Sequence, residues 1–231
     1  MKARLYYNIA ILPKKNFIML KQDENCPLCR EFGSLIYKNN NIHYYQCGNC
    51  LAVFTNDDSK PSFEVEKSIY EQHENIVEDF NYQKFVSPIT LSVMRDFNPN
   101  SKGLDFGAGT GPVITKVLRD NNYDISPYDP IFHNYKELLG ERYDYISSCE
   151  VIEHFHYPYK EFALLKSMLH KDGKLYCMTE IYDDSIEFDS WYYKNDPSHV
   201  FFYHKCTIEW IKERFAFKDV EISGRLIVFS N

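Results

Sequence analysis

The stretch Gly103-Leu104-Asp105-Phe106-Gly107-Ala108-Gly109-Thr110-Gly111-Pro112 constrains this chain more than any other. It reads as a short buried strand, a turn with glycine at alternate positions, and a helix opening at proline. Alternating glycines let a ligand lie against backbone where a Cβ would collide. Pro112 suits a first helical turn, where its missing N–H is not needed. Strand, glycine turn and helix in this order form the entry to a nucleotide-type site in an open α/β sheet. A glycine-rich turn with no ligand is the plainer alternative.

Three better-known motifs do not fit. The dinucleotide fingerprint needs its third glycine one place later, where this chain has Pro112. A P-loop would end in Gly-Lys-Ser/Thr, which is absent. Asp105-Phe106-Gly107 spells the kinase metal-binding triplet, but no His-Arg-Asp loop or Ala-Pro-Glu accompanies it.

Upstream, Cys26-x2-Cys29 and Cys47-x2-Cys50 stand seventeen residues apart. This is the spacing of a four-cysteine zinc site, with a disulfide or redox pair as the lesser alternatives. Each pair forms a knuckle offering two thiolates to a tetrahedral ion, and such a closed site is structural. Residues 42–46 and 51–54 read as strands flanking the second knuckle. His43 and its neighbouring tyrosines could stack on a base, but so small a module needs them for its own core. Cys149, Cys177 and Cys206 read as small core residues.

Composition separates the two ends of the chain. Residues 1–50 carry seven basic and three acidic residues, whereas residues 51–231 carry nineteen basic and thirty acidic. The main domain is therefore a poor general binder of phosphate backbones, while the N-terminal module could touch one. No run approaches the roughly 18 apolar residues of a membrane helix. Reduced thiols without a credible export signal predict a cytoplasmic protein.

The expected organisation is an N-terminal extension over 1–19, a zinc ribbon over 20–55, a linker and helical segment over 56–100, and the main domain over 101–231. Met19 is an alternative start. Residues 63–80 and 82–97 read as helices, the second with Phe85, Ile89, Val93 and Phe97 on one face. Within the main domain, strands at 102–106, 123–128, 143–148 and 174–179 alternate with helices at 112–121, 159–170 and 205–215. A β-hairpin closes the chain, with strands around Val220–Ile222 and Leu226–Phe229. Residues 180–200 form a long connection, and loops of this length are often functional.

The glycine segment resembles motif I of class I S-adenosylmethionine-dependent methyltransferases, Asp/Glu-x-Gly-x-Gly-x-Gly. Cys149-Glu150-Val151-Ile152-Glu153-His154 resembles the Glu-Val-Leu-Glu-His stretch of small-molecule methyltransferases related to the ubiquinone-biosynthesis O-methyltransferases. Trp191 to Phe202, with Asp196-Pro197-Ser198-His199 inside it, resembles a segment that follows the fifth strand in a bacterial branch of these enzymes. Some of that branch carry a cysteine ribbon in front. The resemblance spans nearly the whole chain after about residue 24.

It implies a Rossmann-like α/β sheet ending in an antiparallel hairpin, S-adenosylmethionine as cofactor, and structural Zn2+ at Cys26, Cys29, Cys47 and Cys50. Only thirteen residues separate Asp129 from the strand beginning at Tyr143. The third strand is therefore expected to be missing or vestigial, and no adenine-contacting acid carries over. Gly107, Ala108, Gly109 and Gly111 would form the cofactor loop, with Cys149 and Glu150 beside it. Asp105 would orient the loop and help receive the methionyl ammonium. Asp129 stands twenty-two residues after Gly107, at a strand end, where it either accepts the ribose hydroxyls or caps a turn beside Pro130.

His199 is the first candidate for general base, with His154 and Glu153 as further catalytic candidates. Each has a plainer alternative as a loop-pinning or helix-start residue. Tyr82, Phe85, Tyr192, Tyr193, Phe201 and Phe202 would line an apolar pocket or build core. The expected acceptor is a small molecule, methylated at oxygen, with carbon and nitrogen as alternatives. Two rival functions remain: an RNA methyltransferase whose basic ribbon holds nucleic acid, and a non-catalytic cofactor-binding sensor or scaffold.

Overall fold

The computed structural model of the protein describes residues 23–39, 42–72 and 75–231. The expected 1–19 extension and the first residues of the ribbon lie outside them.

The N-terminal sheet begins with β1 (Asp23–Asn25), β2 (Phe32–Asn39), β3 (Ile42–Cys47) and β4 (Val53–Thr55), paired antiparallel in that order. Each knuckle ends on a residue in the left-handed region, Arg30 at φ 71° and Leu51 at φ 60°. Arg30 N–H donates to Cys26 O and Leu51 N–H to Cys47 O, so the two turns close alike. Tyr44 and Tyr45 are buried, as a small sheet's need for core requires.

Two helices follow, α1 (Phe63–Tyr70) and α2 (Phe80–Asp96). One helix over 63–80 was expected. The break has a local cause: Asp79 caps α2, its carboxylate accepting from Asn81 N–H at 2.8 Å. On α2, Val86, Ile89 and Val93 face inward while Phe85 faces out, so the buried stripe is rotated from the expected one.

The main sheet contains β5 (Lys102–Phe106), β6 (Asp124–Tyr128), β7 (Tyr143–Cys149) and β8 (Leu169–Met178), all parallel. Between them run α3 (Val113–Asp120) and α4 (Pro158–Ser167). Helix α4 stops short of the expected His170 because the chain already pairs at Leu169 with Tyr143.

After β8 come β9 (Phe201–Phe202), α5 (Lys205–Arg214) and the hairpin β10 (Asp219–Ser223) and β11 (Leu226–Ser230). The order is β10-β11-β8-β7-β5-β6, with β11 antiparallel to β8 and β10 antiparallel to β11. No described strand lies beyond β6, and residues 136–140 form a 3-10 turn. The sheet is thus shortened at the third strand, as the short connection requires.

Both faces of this sheet are covered, because successive residues of a strand point opposite ways. Ile146, Leu175, Ile227 and Phe229 pack on α4 and α5 through Phe162, Leu165, Ile208 and Ile211. Tyr145, Tyr176 and Val228 pack on α2 and α3 through Ile89, Val93, Ile114 and Leu118. Cys177 is buried as expected, but Cys206 is exposed. It lies in the first turn of α5, where Thr207, Ile208 and Ile211 take the inward positions.

The two sheets meet at β9, which pairs with β4 through Val53–Phe202 and Phe54–Phe201. Phe201 is fully buried in the core shared by Phe54, Tyr203 and Ile208. Phe201→Ala should therefore cost about 3–5 kcal/mol of stability through lost burial and a cavity. Chemical denaturation followed by far-UV dichroism and by tryptophan fluorescence checks this, and both signals should shift together because one core is damaged.

Candidate active site

The glycine loop leaves β5, turns, and enters α3. Gly107 has φ +80°, and a Cβ there would lie 2.4 Å from Val151 Cγ2. The N–H groups of Gly107 and Ala108 both donate to Tyr128 O, at 2.8 and 3.0 Å, tying the loop to the end of β6. Gly111 serves packing: a Cβ there would meet Asn75 O at 1.8 Å, so the segment before α2 crosses directly over it.

Asp105 is an internal brace. Its Oδ2 accepts from Thr115 N–H and Oγ, and its Oδ1 from Ser147 Oγ at 3.0 Å. These bonds join β5 to the first turn of α3 and to β7. Burial pushes its pKa up, opposed by those bonds. Asp129 closes β6. Its Oδ2 accepts from Gly109 N–H at 3.1 Å, and its Oδ1 from the N–H groups of Ile131 and Phe132. It therefore caps the turn after Pro130 and also holds the glycine loop.

These strand ends open into a cavity of about 750 Å³. Gly107, Ala108, Gly109, Asp129, Cys149 and Glu150 line one end of it. His154, Phe155, Asp196 and His199 line the other, and Tyr70, Asn75 and Tyr82 lie above. Five carboxylates line the wall, from Glu66, Asp129, Glu150, Glu161 and Asp196, and no described lysine or arginine does. Asp105, Gly111 and Glu153 stand behind the wall. Of the aromatics expected at a pocket, Tyr82 lines it, Tyr193, Phe201 and Phe202 are core, and Tyr192 is exposed.

Glu150 occupies the left-handed region at φ 53°, where β7 ends. Its Oε2 accepts from Tyr193 Oη at 3.1 Å and from Arg225 Nη2. Arg225 also reaches Glu180 at 2.7 Å and so bridges two carboxylates from the tip of the hairpin. The Oε1 of Glu150 is buried without a partner among the described residues. Burial and the nearby Glu153 push its pKa to about 7, with Arg225 opposing.

Glu153 is fully buried in the 3-10 turn Ile152–His154. Tyr193 Oη donates to its Oε1, and its Oε2 has no described partner. Burial raises its pKa, with His199 opposing. The Nδ1 atoms of His154 and His199 lie 3.0 Å from Ser198 O and 2.7 Å from Tyr193 O. A carbonyl only accepts, so each Nδ1 carries a proton, and a ring in its neutral form keeps its lone pair on Nε2. The two rings sit 4.8 Å apart. Burial pulls the His199 pKa down, and His154 adds to this.

A second donor set lies in the ribbon. The sulfurs of Cys26, Cys29, Cys47 and Cys50 all fall within 4.8 Å of one another. The N–H groups of Asn49 and Cys50 point at Cys47 Sγ from 3.4 and 3.5 Å, as amides do towards a ligating thiolate. Four converging sulfurs fit a tetrahedral ion of the zinc type.

Sequence reasoning missed Arg225, Tyr70, Glu66 and Asn75. The first comes from the far end of the chain and the others from a helix and turn whose path no motif marks.

Comparison with known proteins gives the arrangement a family. A family model described as "Methyltransferase domain" matches residues 80–222. No curated protein matches the chain significantly. Among solved structures, a SAM dependent methyltransferase from Archaeoglobus fulgidus superposes with a TM-score of 0.51 at 14% identity, covering 74% of this chain and 100% of that one. Magnesium protoporphyrin IX methyltransferase from Synechocystis PCC 6803, with bound SAH, gives 0.51 at 13% identity, covering 74% and 94%. An O-methyltransferase family protein from Burkholderia thailandensis gives 0.50 at 11% identity over 71% of this chain, which spans 61% of that protein. At these identities the likeness is one of fold. The match over most of the main sheet and its helices settles membership: the chain belongs to the methyltransferase-domain family.

Proposed function

We propose that the protein moves a methyl group from S-adenosylmethionine to a small neutral or cationic acceptor. One observation carries this: a single acidic cavity joins the glycine loop to a buried glutamate–histidine cluster. The cofactor bears a sulfonium and an ammonium, and a cavity lined by five carboxylates without lysine or arginine attracts both. The backbone of Gly107, Ala108 and Gly109 lines that cavity, and the orphaned Glu150 Oε1 suits the ammonium. Asp129 would accept the ribose hydroxyls with the lone pairs left beside its loop bonds. Bound there, the sulfonium supplies an activated methyl group.

The chain's own residues then align the acceptor and handle its proton, since methyl transfer is an in-line displacement. Oxygen is the leading acceptor atom, with carbon and nitrogen behind it. His199 is the first candidate for base: Tyr193 O fixes its tautomer, and burial keeps it neutral at pH 7. An RNA acceptor would bring phosphates to an acidic wall, and nothing in the cavity favours that. The four cysteines are proposed to hold structural zinc. Seven unpaired cysteines suit a reducing, cytoplasmic setting, and no described helix is long and apolar enough to cross a membrane.

Asp129→Ala should weaken cofactor binding by about 1–3 kcal/mol, through lost hydrogen bonds to a charged group. Calorimetry checks this, and unchanged affinity removes Asp129 from the site.

Cys47→Ser should release the ribbon's metal and lower thermal stability, because the binding energy of such a site is folding energy. Elemental analysis finding no zinc in reduced wild-type protein would defeat the assignment.

The His199 role makes a pH prediction. The base is active when neutral, so the single-turnover rate should rise with pH through the His199 pKa. Burial places that pKa below the ordinary value, so the rise should come at lower pH than for a free imidazole. His199→Ala should slow turnover about 10²–10⁴-fold and remove this limb. A limb that persists in the variant moves the base to His154.

A further inference from the structure

Five carboxylates line the cavity, and four of them are engaged by the protein. Asp129 accepts backbone N–H groups, and Glu150 accepts from Tyr193 and Arg225. Glu66 lies 2.9 Å from His156 Nε2, and Asp196 accepts from Ser198 N–H at 2.9 Å. Glu161 alone of the five has neither a hydrogen bond nor an ion pair with a described residue. It stands half-buried in α4, where burial raises its pKa and only the Lys160 charge opposes. A carboxylate drawn out of water with no donor is costly, so a ligand that brings one gains by filling the place.

The surroundings of Glu161 are apolar. Leu164, three residues on, shares its face of α4, and Leu139 comes from the 3-10 turn that stands where a third strand would. Burial and then the Glu161 charge raise the pKa of the Tyr128 phenol, so the two side chains are neighbours. Tyr128 ends β6, next to Asp129, and the N–H groups of Ile131 and Phe132 hold the Asp129 carboxylate from the other side. Ile131, Phe132, Leu139 and Leu164 all line the cavity. Beyond Asp129 the cavity is thus an apolar slot with a single acceptor in its wall.

The slot suits a flat ring that carries one N–H donor. The cofactor's own connectivity brings such a ring there. With its ammonium at Glu150 and its ribose at Asp129, the base extends past Asp129 towards Ile131, Phe132 and α4. The short connection after Asp129 leaves no third strand from which an acid could meet that base. We infer that Glu161 is the residue that selects adenine, its carboxylate accepting from the exocyclic amino group while the four apolar side chains enclose the ring. The inference rests on the methyltransferase reading given above. A helix here supplies the acceptor that the shortened sheet lacks. A site built around such a donor rejects the same ring without it, because its own polar group is then left unpaired.

Isothermal titration calorimetry on the full chain tests this with two ligands. One is S-adenosylhomocysteine, and the other is its analogue with a plain purine, hydrogen replacing the amino group. The wild type should bind the adenine ligand at least about tenfold more tightly, the scale of one hydrogen bond to a charged group. Glu161→Ala should lose that preference, and the loss should come from weaker binding of the adenine ligand. Glu161→Gln keeps an acceptor oxygen without the charge, so its preference should be intermediate. The Gln variant also serves where Ala disturbs α4, which far-UV dichroism reports. A wild type that binds both ligands equally overturns the Glu161 assignment, as does a preference that neither variant changes. Either result leaves the methyltransferase reading intact, because the adenine ligand still binds. A wild type that does not bind S-adenosylhomocysteine sinks that reading, and the assignment falls with it.

Discussion

The pairing of β4 with β9 is the interaction on which the rest of this structure depends. It lasts only two residue pairs, Val53–Phe202 and Phe54–Phe201. Yet it turns the ribbon from an appended module into a wall of the main domain. Thr55 N–H continues it by donating to Val200 O, and Val200 N–H in turn donates to Glu153 O. On the other flank Thr207 Oγ donates to Cys50 O at 2.7 Å. Cys26, Cys47 and Cys50 share one core with Phe201, Tyr203 and Ile208. A few hydrogen bonds thus run from the cysteine-bearing sheet to the backbone carbonyl of Glu153. Because that core is continuous, the ribbon's fold and the position of His199 should be lost together.

The second organising fact is how differently four acids are treated. Asp129 accepts three backbone N–H groups and Asp105 three donors from Thr115 and Ser147, so both are satisfied within the protein. Glu150 and Glu153 each keep one buried oxygen without a described partner. Unpaired buried polar atoms are costly, and folded proteins retain few of them. Here both belong to carboxylates of the segment after β7: Glu150 lines the cavity and Glu153 stands behind its wall. The satisfied acids build the loop. Of the unsatisfied ones, Glu150 faces the cavity and is the natural place for positive charge to bind.

The fold was largely legible because its signals are local. The strand and turn from Gly103 to Pro112, the hairpin, and the short gap after Asp129 each need only neighbouring residues to be read. The four cysteines were legible for the same reason. What escaped depends on distant contacts. The need for glycine at 111 comes from Asn75 crossing over it, not from a ligand. Phe85 turned outward because α2 starts at the Asp79 cap, which sets the helix's phase. Arg225 sits at a hairpin tip, and nothing local says that it reaches Glu150 across β8. The candidate site residues were nominated from motifs, but their partners, Tyr193 above all, were not.

The two ends of the cavity are built by different parts of the chain, and this division has a chemical consequence. The glycine loop, Asp129 and Glu150 come from the ends of three adjacent parallel strands, at the point where the strand order reverses, which is where such sheets bind ligands. Their positions follow from the sheet and cannot move without it. The proposed acceptor end is made by α1, the 3-10 turn at 152–154 and the 180–200 connection, which is anchored by β9. Glu66 and Tyr70 come from α1, a helix with no buried residue of its own. A surface helix and a long loop can change residues at small cost to stability, whereas strand ends cannot. The proposed donor site is therefore the conservative half of the cavity. On the proposed function, acceptor choice would fall to Tyr70, Glu66, Asp196 and the histidine pair, on a wall that the ribbon helps to hold in place.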